Sequence, residues 1–179
     1  MKVVIINGKA GVGKDAFVTM CKDVLSASRV LNISTVDFVK EVATFCGWNG
    51  SKTPKNRKFL SDLKDLLTEW EDIPFMKVCD TIRNWSCELD EFEGYEAWCN
   101  SVVFIHCREP KEIKKLVDEF NATTLLIRRD AAESVEQMNH ADNEVLNYEY
   151  DYTIFNNGSL SELRARAEEF LRDCLKLDI

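Results

Sequence analysis

The chain has 179 residues, enough for one well-buried domain and too few for two ordinary ones. Hydrophobic residues make up 45% and charged residues 30%, the balance of a globular protein rather than a disordered or fibrous one. A formal charge of -8 opposes non-specific binding to a nucleic acid polymer, and no apolar run approaches the roughly 20 residues that span a bilayer. An anionic small molecule remains admissible if a local cationic pocket works against the overall field. The seven cysteines are odd in number, include no C-x-x-C, and follow an N-terminus without a signal-peptide layout, so a reducing, cytoplasmic location is expected. No repeat, low-complexity tract or Pro/Gly-rich linker divides the chain.

Lys2 to Asn7 is a short β-branched apolar run, followed by the glycine-rich stretch GKAGVGKD (Gly8 to Asp15) and a helical segment to about Ala27. Val30 to Val36 reads as a second strand, with Asp37 placed to N-cap the helix VKEVATFC. After the turn-rich GWNGSKTP, Lys55 to Trp70 sets Phe59, Leu63, Leu66, Leu67 and Trp70 on one helical face. A helix is expected from Pro74 to about Leu89. Ser101 to Cys107 (SVVFIHC) and Thr123 to Ile127 (TTLLI) read as buried strands, and Pro110 suits the first turn of a helix. Asp130 with Glu133 forms a candidate capping box. Tyr152 to Phe155 is the last strand. Ser159 and Glu162 cap a final helix whose apolar face is Leu160, Leu163, Ala167, Phe170, Leu171 and Cys174. Strands alternating with amphipathic helices imply an α/β protein with a mostly parallel sheet covered on both faces. Ligands then bind beyond the carboxyl ends of the strands, where Gly8 to Asp15, His106 to Glu109 and Arg128 to Asp130 fall.

The motif carrying the most chemistry is GKAGVGKD, seven positions of which meet the phosphate-loop pattern G-x-x-x-x-G-K. Gly8, Gly11 and Gly13 let the backbone curl, the N-H groups of Lys9, Ala10 and Val12 come with it, and Lys14 supplies a point charge for the β and γ phosphates. The eighth position, where a hydroxyl normally meets magnesium, is Asp15. A carboxylate there is either a magnesium ligand between protein and phosphates or a group favoured by the helix dipole.

GKAGVGKD resembles the G-x-x-x-x-G-K-D loop of the deoxynucleoside monophosphate kinases of phages and bacteria, and that of animal-type phosphomevalonate kinases. STVDFVKEVA is similar to the segment in which an Asp and a Lys, here Asp37 and Lys40, begin the acceptor-side helix. VVFIHCREPKEI resembles the strand ending in D-V-R-F-x-N-E, with Arg108 at the arginine and Glu112 near the glutamate, while TLLIRRD resembles the strand entering an arginine-bearing lid. NHADNEVLNYEYDYTIFNNGSLSEL resembles the closing pattern, an H-x-S-E stretch followed by a strand, an N-x-G loop and a helix; His140 and Glu144 would match that stretch. His106 departs from the acidic residue many relatives carry, and HADNE is one residue longer than H-x-S-E.

The resemblance implies a three-layer P-loop NTPase fold around a five-stranded sheet, with a helical acceptor lobe at about 37–100 and a lid at about 128–144. It implies transfer of the γ-phosphate of ATP, with Mg2+, to a small phosphorylated acceptor, first among them a nucleoside monophosphate. A non-nucleotide phosphorylated metabolite as acceptor, and a regulatory NTPase that hydrolyses slowly, are the competing readings. Lys14, Asp15, Arg108, Arg128 and Arg129 would be catalytic, with Asp15 on the metal. Gly8, Lys9, Ala10, Gly11, Val12, Gly13, Asn156 and Gly158 would join Lys14, Asp15 and Arg128 around ATP. Asp37, Lys40 and Arg108 would meet the acceptor; apart from the resemblance, the middle segment carries this chain's own basic residues Arg57, Lys58, Lys64 and Arg83, of which Arg57 and Arg83 are taken as acceptor-binding candidates. A homodimer is compatible with this reading.

Each residue also has a simpler explanation. Arg128 and Arg129 suit a solvated helix start, Arg108 can pair with Glu109 or Glu112, Asp37 can be only a cap, and Asn156, Asn157 and Gly158 spell a turn in any protein. Trp48, Trp70, Trp85 and Trp98 read as packing rather than as a platform for bases. His106 and Cys107 lack companions at zinc spacing.

Overall fold

Continuous apolar runs build the sheet. A computed structural model describes residues 1–133, 145 and 148–179. Its strands are β1 (Lys2–Asn7), β2 (Val30–Ser34), β3 (Val102–His106), β4 (Thr123–Arg128) and β5 (Tyr152–Phe155). They pair in the order β2-β3-β1-β4-β5, every pair parallel. A parallel strand inside a covered sheet is buried on both faces. Accordingly Val4 and Ile6 of β1 join one core cluster with Phe104 of β3, while Val3 and Ile5 join the other with Val103 and Ile105.

The first core is closed by α1 (Lys14–Leu25) and by a C-terminal helix (Leu160–Glu169) that continues in a wider π-type turn, Phe170–Cys174. Phe17 sits at its centre, edge-on to Phe104 at 6.2 Å and to Phe170 at 5.8 Å. Ser159 and Glu162 form the expected reciprocal capping box, which leaves Leu163, Ala167 and Leu171 buried and Leu160 exposed. Beyond the first helix the chain forms α2 (Asp37–Phe45), α3 (Pro54–Glu71) and α4 (Ile73–Cys99) between β2 and β3, then α5 (Pro110–Phe120) between β3 and β4 and a short α6 (Asp130–Glu133). The second core packs the sheet against α4 and α5 through Val78, Ile82, Ile113 and Leu116. In chain order the C-terminal helix is α7. The α4 helix runs ten residues past the expected end at Leu89, with a break at Gly94, whose φ is 84°.

Two sequence expectations are corrected. The apolar stripe of α3 is only partly covered: Leu63 and Leu67 are half-buried, Phe59, Leu66 and Trp70 are exposed, and the one buried residue of the helix is Lys64. Lys64 instead turns inward onto the carboxylates of Glu109 and Glu112. Asp37 is also not a cap. The cap position of α2 is Val36, and the Asp37 carboxylate instead accepts from the Ser34 N-H at 2.7 Å and from Lys40 Nζ at 2.8 Å, tying the end of β2 to the helix that follows. The expected Asp130–Glu133 box involves a side chain outside the described residues, as do His140 and Glu144. Among the described residues no helix is long and apolar enough to cross a membrane.

Burial separates the two aromatic positions energetically. Phe17→Ala should cost about 3–5 kcal/mol, whereas Trp70→Ala should stay within about 0.5 kcal/mol of the parent in denaturant unfolding. Equal losses would contradict the placement of α3.

Candidate functional site

The order of strands fixes where a ligand can enter. From β1 the chain crosses to β2 on one side; from β3 it crosses over β1 to β4 on the other. The adjacent carboxyl ends of β1 and β3 therefore open a crevice at the switch point. Gly8 to Asp15 leaves one of these ends and His106 to Glu109 the other.

The loop conformation depends on its glycines. Gly8, Gly11 and Gly13 have φ of 147°, 81° and 95°. A Cβ on Gly8 would collide with the Ile127 carbonyl and meet Val12 Cγ2 at 2.9 Å, and one on Gly13 would collide with the Asn156 amide. Gly13 is the N-cap of α1 and carries no side-chain cap, and the helix dipole is directed at the loop. Lys14 lies back across the loop, its ammonium donating to the Gly8 carbonyl at 2.6 Å and the Lys9 carbonyl at 3.0 Å.

Asn7 anchors this loop and was not singled out in the sequence. Fully buried at the end of β1, it accepts from the Gly8 N-H at 2.7 Å and donates to the Tyr150 hydroxyl at 2.7 Å and the Arg108 carbonyl at 3.4 Å. Tyr150 in turn donates to the Val145 carbonyl at 2.8 Å, and burial pushes its phenol up to about 12, so it remains a donor. One amide thus joins the ends of β1 and β3 to the segment before β5. Its only sequence signal is a polar residue closing an otherwise apolar strand. Asn156 supports the far side of the loop by donating to the Val12 carbonyl at 2.9 Å, and Asn157 exchanges hydrogen bonds with Asp130. Gly158 lies against the Glu162 carboxylate of the capping box, which a Cβ there would have to displace.

Between loop, β2, β3, α2 and α3 lies a cleft of about 700 Å³. Lys14, Lys40, Lys52, Lys64 and Arg108 line it against the carboxylates Asp15, Asp37 and Glu109. The acidic chain therefore has a locally cationic cavity at its switch point. Ala10, Gly11, Lys14 and Asp15 form the loop end of the cleft, while Asp37, Lys40, Lys64 and Arg108 belong to other parts of its lining. Arg57 and Arg83 are exposed and outside the lining; Arg57 bonds the Lys52 carbonyl and Arg83 pairs with Asp80. Arg128 ends β4 with its guanidinium 5.3 Å above the Phe155 ring, and the exposed Arg129 follows it; neither lines the cleft.

Asp15 is 91% exposed, and α1 shows no side-chain cap, so its carboxylate is open to the cleft as a hard oxygen donor of the kind magnesium accepts. His106 Nε2 stands 3.7 Å from Asp15 Oδ1 and 2.9 Å from Asn32 Oδ1. Burial lowers the imidazole below its ordinary value of 6.5, against the pull of Asp15 and with the help of Lys14, so the ring is neutral at pH 7.

No protein-family model matches the chain, and no curated protein matches it. Solved structures give a general likeness over nearly the whole length. A Cys-to-Ala mutant of an APS kinase of Mycobacterium tuberculosis is 12% identical with a TM-score of 0.43, over 96% of this chain and 97% of that one. A shikimate kinase of Bacteroides thetaiotaomicron is 16% identical with a TM-score of 0.44, over 98% and 99%. A thymidylate kinase of Ehrlichia chaffeensis is 10% identical with a TM-score of 0.42, over 95% and 98%. By its own geometry, a parallel five-stranded sheet with helices on both faces and a glycine loop between β1 and α1, the chain has the three-layer α/β P-loop fold.

Asn7→Ala should lower stability by about 1–3 kcal/mol, because the Gly8 N-H and the Tyr150 hydroxyl both lose a buried partner; chemical denaturation measures it, and no loss would contradict the bracing role. For His106, the folded protein binds the proton less tightly than the unfolded chain. Its stabilising contribution is complete above pH 6.5 and is lost as pH falls through the lower folded-state value. An NMR titration should place the His106 midpoint below 6.5, and His106→Asn should flatten the acid limb of stability against pH.

Proposed function

We propose that this chain is an ATP- and Mg2+-dependent phosphotransferase that moves the γ-phosphate of ATP to a small phosphorylated acceptor, foremost a ribo- or deoxynucleoside monophosphate. The observation that carries the reading is the single cleft lined both by the phosphate loop and, elsewhere, by the cations Lys40, Lys64 and Arg108. A site that only binds or hydrolyses one nucleotide has no use for the second set of cations. Phosphoryl transfer between two anions does, because it depends on in-line positioning and charge neutralisation.

In this mechanism the loop N-H groups and the start of α1 hold the donor's phosphates, and Lys14 turns from the Gly8 and Lys9 carbonyls to the β and γ oxygens. Asp15 is the residue that would hold magnesium, which supplies charge neutralisation between the phosphates. Arg108, at the end of β3, holds the acceptor's phosphate with a planar fork suited to two oxygens. Helices α2 to α4 form the acceptor lobe. Arg128 and Arg129 would cover the transferring group from the lid expected at about 128–144, most of which lies outside the described residues, and the Asn156–Gly158 loop would flank the adenine.

The test is ADP formation from ATP and magnesium across a panel of nucleoside monophosphates and phosphorylated metabolites, with a control lacking acceptor. Acceptor-dependent ADP that is abolished by Lys14→Ala is expected; a nucleoside monophosphate or another phosphorylated metabolite as the preferred acceptor decides between the two substrate classes. ADP formed equally without acceptor would replace the reading with that of an NTPase. Arg108→Ala should chiefly raise the acceptor KM, and Asp15→Ser should shift the magnesium dependence; unchanged profiles in both variants would contradict the site assignment.

A further inference from the structure

Lys64 is the one buried residue of an eighteen-residue helix whose Phe59, Leu66 and Trp70 are exposed. Burying an ammonium in place of one of these is unfavourable unless it is paired. Its Nζ lies 2.7 Å from Glu109 Oε1 and 2.9 Å from Glu112 Oε1. Burial alone would lower its pKa, but the two carboxylates outweigh it and hold the group above the ordinary lysine value, fully cationic.

The two carboxylates are not equivalent. Glu112 is the more enclosed, at 22% exposure against 48%, and also accepts from Thr35 Oγ1 at 3.4 Å and Cys107 Sγ at 3.5 Å. Glu109 directly follows Arg108, stands at the start of α5 without capping it, and faces the cleft. Thr35, Lys64 and Glu109 line both this cleft and a second cavity of about 360 Å³ bounded by α3, α4 and α5, so the ion pair stands where the two spaces meet.

We infer that Lys64 is an acceptor-recognition cation and Glu109 its internal competitor, a carboxylate that occupies Lys64 in the empty cleft and yields it to the acceptor's phosphate. The inference rests on the phosphotransferase reading and adds a specificity-determining pair to it. Glu112 keeps Lys64 in place during the exchange. A phosphate dianion carries more charge than the carboxylate it displaces, so anionic acceptors are selected over neutral ones of the same shape.

The probe is inorganic phosphate, titrated into the full chain in the presence of ADP and magnesium and followed by NMR at the amides of Thr35, Lys64 and Arg108 to Glu112; ADP occupancy is read separately at Gly8 to Asp15. Glu109→Gln should bind phosphate about fivefold more tightly than the parent, and Lys64→Met at least about tenfold more weakly, with Lys64→Arg recovering part of the loss. A purely structural bridge predicts the opposite or no effect in Glu109→Gln. Unchanged or weaker phosphate binding in that variant, or no response of the Lys64 region in the parent, overturns the inference, whether or not Lys64→Met folds. Absence of ADP shifts at Gly8 to Asp15 would instead contradict the nucleotide site.

Discussion

The placement of the site depends on β1. Flanked by β3 and β4 and apolar on both faces, it fixes the position at which the chain must turn into α1. Its last residue, Asn7, is fully buried, and a buried amide must satisfy its donors and acceptor or destabilise the fold. It does so by gripping the first N-H of the glycine loop and the segments from β3 and before β5. The start of the glycine loop is thus anchored to three separate segments of the fold. Lys14, drawn onto the Gly8 and Lys9 carbonyls, keeps its charge within the same loop.

Electrostatics at the cleft runs against the chain as a whole. A net charge of -8 opposes the approach of any anion at long range, while Lys14, Lys40, Lys52, Lys64 and Arg108 concentrate positive charge in one cavity. Two of these cations are held by carboxylates of the same cleft, Lys40 by Asp37 and Lys64 by Glu109. Such pairs keep cations at a partly desolvated wall without leaving them uncompensated, and they allow an entering anion to compete for them.

Much of the fold was legible because its signals are local. Strand, glycine loop and helix follow one another within the first 27 residues, and the C-terminal capping box reads directly from Ser159 and Glu162. A mostly parallel sheet followed from buried strands alternating with helices, since a parallel strand needs a crossover, and the structure makes every pair parallel. What failed was long-range. The stripe from Phe59 to Trp70 has helical spacing whichever face is covered, and only Glu109 and Glu112, more than forty residues later, decide that Lys64 turns inward. Asn7 was missed for the same reason, because its partners Arg108 and Tyr150 lie about 100 and 143 residues away. Asp37 had the composition of a cap, yet its carboxylate is taken by the Ser34 N-H upstream.

The most direct test of the central claim is a calorimetric titration of ATP with magnesium into the parent protein and into Lys14→Ala, with stability of the variant checked in parallel. The account predicts saturable one-site binding in the parent and at least about tenfold weaker binding in the variant, the loss of one charge-assisted contact to phosphate. No saturable binding in the parent, or equal affinity in both, would contradict it.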